Sequence, residues 1–212
     1  QMGQAQAKLQ TRLSHTSEGW HWPAQAPVSG WVKTQLPSLG AWSLLAPPGW
    51  RVQGTLDSQV DLSGTRAEPQ WQGLVQADNL AVRSAVQGIE FSQGQLRARV
   101  QGQQVTLEQL SLRGAGAQGG ELQAQGQLHW LPQSATAASS SALGHVNMAL
   151  QMTAKALRVS NRADRRLTIS GQVKAHMQQG QLQLRGQVQA DQGLFILPDE
   201  NTPSLGQDVL IL

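Results

Sequence analysis

Apolar and polar side chains alternate along most of this chain. In residues 182–190, for example, the even positions are apolar or glycine, whereas the odd positions are glutamine or arginine. Successive side chains of a β-strand point to opposite faces of a sheet, so such a segment predicts a strand with one aliphatic and one polar face. The segments that share the pattern are residues 51–62, 95–101, 121–130, 146–152, 167–175 and 182–190.

Turns and one phase change interrupt the alternation. Glycine next to glutamine separates several of the predicted strands, as in residues 93–95 and 179–181. The apolar positions change parity between Leu107 and Leu110, which predicts a bulge or a tight turn near Gln109. Helix is scarce: one short helix is predicted between Ser38 and Ala46, where Pro47-Pro48-Gly49 would end it.

The pattern also suggests how the chain is organised. Residues 1–29 are poorly patterned, whereas residues 30–212 predict a single all-β domain. Residues 132–145 are polar and of low complexity, so we expect a flexible surface loop there. The chain begins with no charged and apolar leader, and we expect it to be a fragment of a larger protein.

Composition excludes several classes of protein. The chain of 212 residues is 39% hydrophobic and only 14% charged, which argues against a disordered protein. It has no cysteine, so disulfide frameworks and thiolate sites are excluded. No window of 18 apolar residues predicts a membrane-spanning helix. The net charge of +3 permits an anionic partner without requiring one.

No motif predicts catalysis, a metal or a cofactor. Residues 114–119 match G-x-G-x-x-G, but an alternating strand follows instead of the helix that a dinucleotide site needs, so we interpret them as a turn. The five histidines are dispersed and form no metal-ligand spacing with carboxylates. No G-x-S-x-G elbow is present, and acids are few. We therefore predict no enzyme and no nucleic-acid binding, since aromatic platforms are missing among the basic residues.

One basic cluster has two interpretations. It surrounds Asn161 and Asp164 and consists of Arg158, Arg162, Arg165 and Arg166. It could contact an anionic group such as a lipid headgroup, or it could be the solvated tip of a hairpin.

The aliphatic faces also leave two arrangements open. They contain Leu, Val, Ala, Met and Gly with few aromatic residues, so they could close on a second sheet or curl into an open trough that would suit acyl chains. The lining of such a trough would be Val52, Leu56, Val60, Leu62, Val75, Leu96, Val100, Leu122, Leu128, Val146, Met148, Leu150, Met152, Leu167, Ile169, Val173, Leu182, Leu184 and Val188.

Three stretches carry a family resemblance. Residues 47–80 contain GTLDSQVDLSGTRAEPQWQG, residues 88–130 repeat strands followed by G-x-L-x-x-x-G, and residues 156–198 run from ALRVSNRADRRLTISG to GLFILP, with LGQDV after them. In this order they resemble the C-terminal conserved region of the TamB family, the inner-membrane subunit of the translocation and assembly module. That family belongs to the AsmA-like bridge-type lipid-transfer superfamily.

The resemblance implies a β-taco-like trough, a long, curled, mostly antiparallel sheet with a hydrophobic inner groove. It implies a periplasmic setting in a Gram-negative envelope, with the parent protein anchored in the inner membrane. The implied role is to conduct phospholipid between the membranes, or to assist outer-membrane protein assembly and autotransporter secretion with a TamA-type barrel. Cargo would be phospholipid or hydrophobic β-strands, and the cut strand edges would favour self-association.

Alternatives from other classes remain at this point. A closed β-sandwich or a parallel β-helix would make the chain a structural or adhesin module without lipid cargo, although a β-helix needs a stricter rung period. A transmembrane barrel fragment would carry aromatic girdles at two levels, whereas this chain has no Tyr and most of its Trp lie in the first 50 residues.

Overall fold

The computed structural model describes residues 3–17, 19–40, 43, 46–116, 118–130, 146–178 and 180–196. Strands dominate this part of the chain, and no helix in it is long and apolar enough to cross a membrane. The strands of the described residues are β1 (Gln4–Thr11), β2 (Ser14–Thr16), β3 (Gly19–His21), β4 (Val28–Leu36), β5 (Trp50–Gly64), β6 (Pro69–Ser84), β7 (Ile89–Gly102), β8 (Gln104–Arg113), β9 (Glu121–Trp130), β10 (Val146–Asn161), β11 (Arg165–Gln178) and β12 (Gln181–Phe195).

Ten of these strands form one open antiparallel sheet. Its order is β1-β4-β5-β6-β7-β8-β9-β10-β11-β12, so the chain from β4 onward is a meander and the two edges are β1 and β12. Strands β2 and β3 form a separate two-stranded ribbon between β1 and β4. The predicted all-β, antiparallel class is confirmed, and the parallel β-helix does not fit any strand pair described.

Bulges bend the strands. The register shifts on β6, β7 and β10 each contain a residue with positive φ, namely Asn79 (53°), Gln93 (52°) and Ala156 (46°). On β8 the register shifts between Leu107 and Leu110, which confirms the bulge predicted near Gln109. An extra residue bends its strand and increases the local twist, so these bulges allow the sheet to curl.

The sheet curls so strongly that two strands that are not neighbours in it meet. Strands β7 and β10 contact each other although β8 and β9 lie between them in the sheet. This is possible because β7 has 14 residues and β10 has 16, whereas β8 and β9 have 10 each and end sooner. The two long strands therefore meet beyond the tip of the short hairpin.

The described residues show no second layer over this sheet. A closed sandwich would bury large side chains between two sheets. Here six of the ten buried apolar residues are alanine, and the ten are Ala26, Val28, Leu39, Ala77, Ala98, Val100, Ala115, Ala124, Leu157 and Ala175. The larger aliphatic side chains of the curled face are mostly half-buried, as expected of an open trough.

The remaining organisational predictions are untested. Strand β1 lies within the poorly patterned residues 1–29 and pairs with β4, while the proposed domain boundary stays a prediction. The predicted loop at residues 132–145 lies outside the described residues. Of the predicted helix between Ser38 and Ala46, residues 41, 42, 44 and 45 also lie outside the described residues.

Candidate functional site

The apolar side chains align in rows that cross the strands. Directly paired residues of neighbouring antiparallel strands point to the same face, so the register alone defines each row. The first row is Val32, Val60, Gly73, Val100, Val105, Leu128, Met148, Met177 and Leu182. The second row is Thr34, Ser58, Val75, Ala98, Leu107, Gly126, Leu150, Ala175 and Leu184. The third row is Leu36, Leu56, Ala77, Leu96, Leu110, Ala124, Met152, Val173 and Gly186.

These three rows form the floor of what we call the groove. It runs perpendicular to the strands, from β4 to β12. Eight spacings of about 4.8 Å between neighbouring strands give it a length of about 38 Å. The second row begins with two hydroxyl residues, Thr34 and Ser58, and is apolar from Val75 onward. The groove is therefore more polar at its β4 end.

The opposite face of the sheet is polar and more exposed. One of its rows reads Lys33, Gln59, Leu74, Arg99, Thr106, Gln127, Ala149, His176 and Gln183. On β9, Leu122, Gly126 and Leu128 are half-buried. Their neighbours Gln123, Gln125 and Gln127 are exposed. The aliphatic face is thus the less exposed of the two.

Strand β12 is the exception, because its apolar side chains are exposed. Leu182, Leu184 and Val188 lie on the apolar face but are 57%, 63% and 56% exposed. The cause is their position, because among the described strands β12 pairs with β11 alone and forms the edge of the sheet. The groove is therefore open at this end.

The register places the predicted lining residues on the groove face. Residues outside the three rows extend it: Leu122 continues through Ala154 and Gly171 to Val188, and Leu157 pairs with Ile169. Their contact with a lipid stays a prediction. Val105, Leu107 and Leu110 of β8 also lie on the groove face but were not among the predicted lining residues. Their apolar positions change parity at the bulge, so the alternation did not place them on one face.

The predicted arginine cluster holds one rim of the sheet together. Arg158 donates to the carbonyl of Ala115 at 3.4 Å, and Arg165 donates to that of Gln87 at 3.4 Å. Arg162 donates to the carbonyl of Val86 and forms an ion pair of 2.7 Å with Asp164. Arg166 is exposed on β11. Three of the four arginines therefore donate to backbone carbonyls of neighbouring segments. Contact of the cluster with lipid headgroups stays a prediction.

Backbone groups complete this rim contact, which comprises the described parts of residues 85–88, 114–120 and 158–165. The amide of Asn161 donates to the carbonyl of Gly88 at 2.8 Å, and the Ser160 hydroxyl donates to Gln87 at 3.3 Å. The pKa of Asp164 lies below its ordinary value of 3.8, mainly because Arg162 donates a hydrogen bond to its carboxylate. The rim contact closes the groove wall where β7 meets β10.

The G-x-G-x-x-G segment belongs to this rim. Its amide at Gly119 donates to the carbonyl of Gly116 at 3.1 Å, and β9 begins directly afterwards at Glu121. A side chain at Gly120, which has a φ of 66°, would collide with the carbonyl of Ala156. The glycines therefore serve a tight turn against β10, as predicted, and no helix follows them.

Comparison with known protein families gives a match over the C-terminal part of the chain. Residues 108–211 match the family model of the TamB C-terminal domain. The match identifies a TamB C-terminal domain in this part of the chain. No curated protein and no solved structure matches the chain.

This domain match confirms the resemblance to the TamB family found in the sequence. The matched region includes the second half of β8 and all of β9 to β12, which carry the arginines of the rim contact. The TamB domain indicates a protein of the Gram-negative envelope with a role in outer-membrane assembly or lipid transport. The family is a transport and assembly module and is not known as an enzyme.

Proposed function

We propose that this chain conducts phospholipid across the periplasm, with the acyl chains in the groove and the headgroups in water. The observation that carries the proposal is the continuity of the three apolar rows from β6 to β12. A closed domain would bury these aliphatic rows completely, whereas here most of their larger side chains are half-exposed. A groove for acyl chains needs this arrangement.

The groove favours hydrocarbon without selecting a headgroup. Each methylene group that leaves water for the aliphatic floor gains at most about 0.8 kcal/mol. Affinity should therefore rise with acyl-chain length. Of the clustered arginines, Arg166 is the most accessible to a headgroup, and an exposed ion pair of this kind contributes little, about 0 to 1 kcal/mol.

A second cargo is supported by the edge strand. Strand β12 is exposed along its whole length and, within the part of the chain that the structure describes, pairs on one side, so it can accept another strand through its backbone. Hydrophobic β-strands of a nascent outer-membrane protein, or the barrel of a TamA-type partner, fit this edge. We propose this role, including autotransporter secretion, beside lipid conduction.

The setting belongs to the same proposal. The chain would work in the periplasm as part of a parent protein anchored in the inner membrane. Its action would require no cofactor, because moving lipid along an apolar surface involves no bond making or breaking.

Photo-crosslinking in cells tests the lipid proposal. A photoreactive residue is placed at Leu150 or Val173 on the groove floor, and matched probes are placed at Gln151 or Lys174 on the other face. Lipid adducts confined to the groove positions support conduction of lipid. Adducts at neither pair of positions, in cells with intact envelopes, would reject it, and native mass spectrometry of the purified chain checks for co-purified phospholipid.

A further inference from the structure

The sulfur of this chain is concentrated on the groove floor. The chain has four methionines and no cysteine, so methionine is its only sulfur-bearing side chain. Met2 lies outside the described residues, and the other three, Met148, Met152 and Met177, are all in the apolar rows. They belong to the neighbouring strands β10 and β11. Among the described residues, any chemistry specific to methionine therefore acts on the groove.

Two of these methionines lie side by side. Met148 and Met177 are direct partners in the first row, and the Cβ atoms of such partners are about 5 Å apart on one face. The row continues through Leu128 on β9 and Leu182 on β12. Met152 follows Met148 along β10 and lies in the third row, opposite β9 and β11 residues of the same face. The three thioethers are therefore part of the surface along which an acyl chain would move.

These methionines are open to small oxidants, because all three are half-buried and none is enclosed in a core. A peroxide transfers one oxygen atom to a thioether. The sulfur lone pair forms the new S–O bond, the O–O bond breaks, and the second oxygen leaves as water after taking up the proton. Sulfur loses two electrons and the peroxide gains them. The product, methionine sulfoxide, is a polar side chain in place of an apolar one.

We propose that Met148, Met152 and Met177 are oxidation sites that change the groove floor from apolar to polar and so stop lipid from binding. This regulation rests on the proposed function, since it acts on the same groove. An acyl chain offers no hydrogen bond to a sulfoxide oxygen, and covering a polar group with hydrocarbon is unfavourable. Sulfoxides at 148 and 177 would interrupt the first row between β9 and β12. The change is reversible, because methionine sulfoxide reductases restore the thioether.

Lipid binding before and after treatment with hydrogen peroxide tests the proposal. The purified whole chain is titrated against a phospholipid that carries a fluorescent acyl chain, and peptide mass spectrometry identifies the methionines that have gained oxygen. The oxidised chain should bind the lipid about tenfold more weakly or worse. A methionine sulfoxide reductase supplied with a dithiol should restore binding, as the oxygen leaves as water and the dithiol becomes a disulfide.

Two variants separate the groove methionines from oxidation elsewhere. The triple variant Met148→Leu/Met152→Leu/Met177→Leu conserves the apolar volume of the floor and keeps Met2. It should bind lipid like the wild type, both with and without peroxide. Adding His176→Met to the triple variant places a thioether on the exposed polar face beside position 177. Oxidation at that position should leave lipid binding unchanged.

Each contrary result has a definite meaning. Unchanged binding by the oxidised wild type would overturn the proposal, as would an equal loss of binding in the triple variant. Groove methionines that stay unoxidised while free methionine in the same solution reacts would also overturn it. So would a loss of binding that accompanies loss of the sheet, measured by circular dichroism. An untreated chain that binds no lipid would instead reject the lipid groove itself, and this regulation with it.

Discussion

The backbone amide of Ala156 donates a 2.8 Å hydrogen bond to the hydroxyl of Ser170 on the neighbouring strand. That hydroxyl in turn donates to the carboxylate of Asp191 on β12 at 2.6 Å. A left-handed conformation such as that of Ala156 costs about 1 to 2 kcal/mol in a residue other than glycine. The Ser170 hydroxyl therefore helps to hold the bulge that bends β10.

We expect Ser170→Ala to lower the free energy of unfolding by about 1 kcal/mol, the usual contribution of one such hydrogen bond. Ser63→Ala, at an exposed position of β5, should change it by less than about 0.5 kcal/mol. Urea denaturation of the two variants and the wild type measures both values. Equal stability of the two variants would show that the hydroxyl does not support the bulge.

Neighbouring residues on β9 separate the two faces of the sheet. Leu128→Glu places a carboxylate among Val105 and Met148 of the first row, so it should destabilise the fold by about 1 to 3 kcal/mol and abolish lipid crosslinks. Gln127→Glu introduces the same side chain on the exposed polar face and should change stability by less than about 0.5 kcal/mol. Thermal unfolding and crosslink yield are the measurements. Similar losses in both variants would contradict the assignment of the faces.

Acid should loosen the rim contact. Hydrogen bonding from Arg162 lowers the pKa of Asp164, so its stabilising effect is present above the ordinary value of 3.8 and is lost as the pH falls through the lowered pKa. Hydrogen exchange at residues 85–88 and 162–164 should therefore accelerate below about pH 4, relative to the sheet centre. In Asp164→Asn this added acid dependence should be absent. A wild-type protein whose rim exchanges in step with the sheet centre at all pH values would contradict the prediction.

The exposed edge should promote self-association. Burying Leu184 against a second chain gains about 1.5 kcal/mol or more, so Leu184→Lys should raise the dissociation constant of the oligomer about tenfold. Lysine on an edge strand also opposes pairing directly. Gln125→Lys adds the same charge to central strand β9 and should leave association unchanged. Sedimentation velocity over a micromolar concentration range distinguishes them, and a strictly monomeric wild type would count against an associating edge.

The strands and their faces could be predicted from the sequence because a half-buried sheet imposes a period of two. Leu128 and Leu184 lie on the aliphatic face as the alternation indicates, and the bulge at Gln109 produced a visible change of parity. Equivalent changes occur near Asn79 and Ala156, where apolar positions also shift from one parity to the other, so those bulges left a signal that the sequence analysis did not use.

The rim contact could not be predicted in the same way. Arg162 and Arg165 donate to backbone carbonyls of a hairpin more than 70 residues away, and a carbonyl acceptor exists at every position of the chain. Only the curl of the sheet decides which carbonyl is near. The sequence therefore showed a cluster of arginines but not what they bind.

Because the apolar rows cross the strands instead of following them, the groove grows by a fixed step. One additional hairpin lengthens it by two strand spacings, about 9.6 Å, however many residues the hairpin contains. A single residue inserted within a strand would instead turn the following side chains to the wrong face unless a bulge absorbed it. The grooves of such proteins should therefore differ in length by whole hairpins. The number of residues per strand sets only the height of the groove walls.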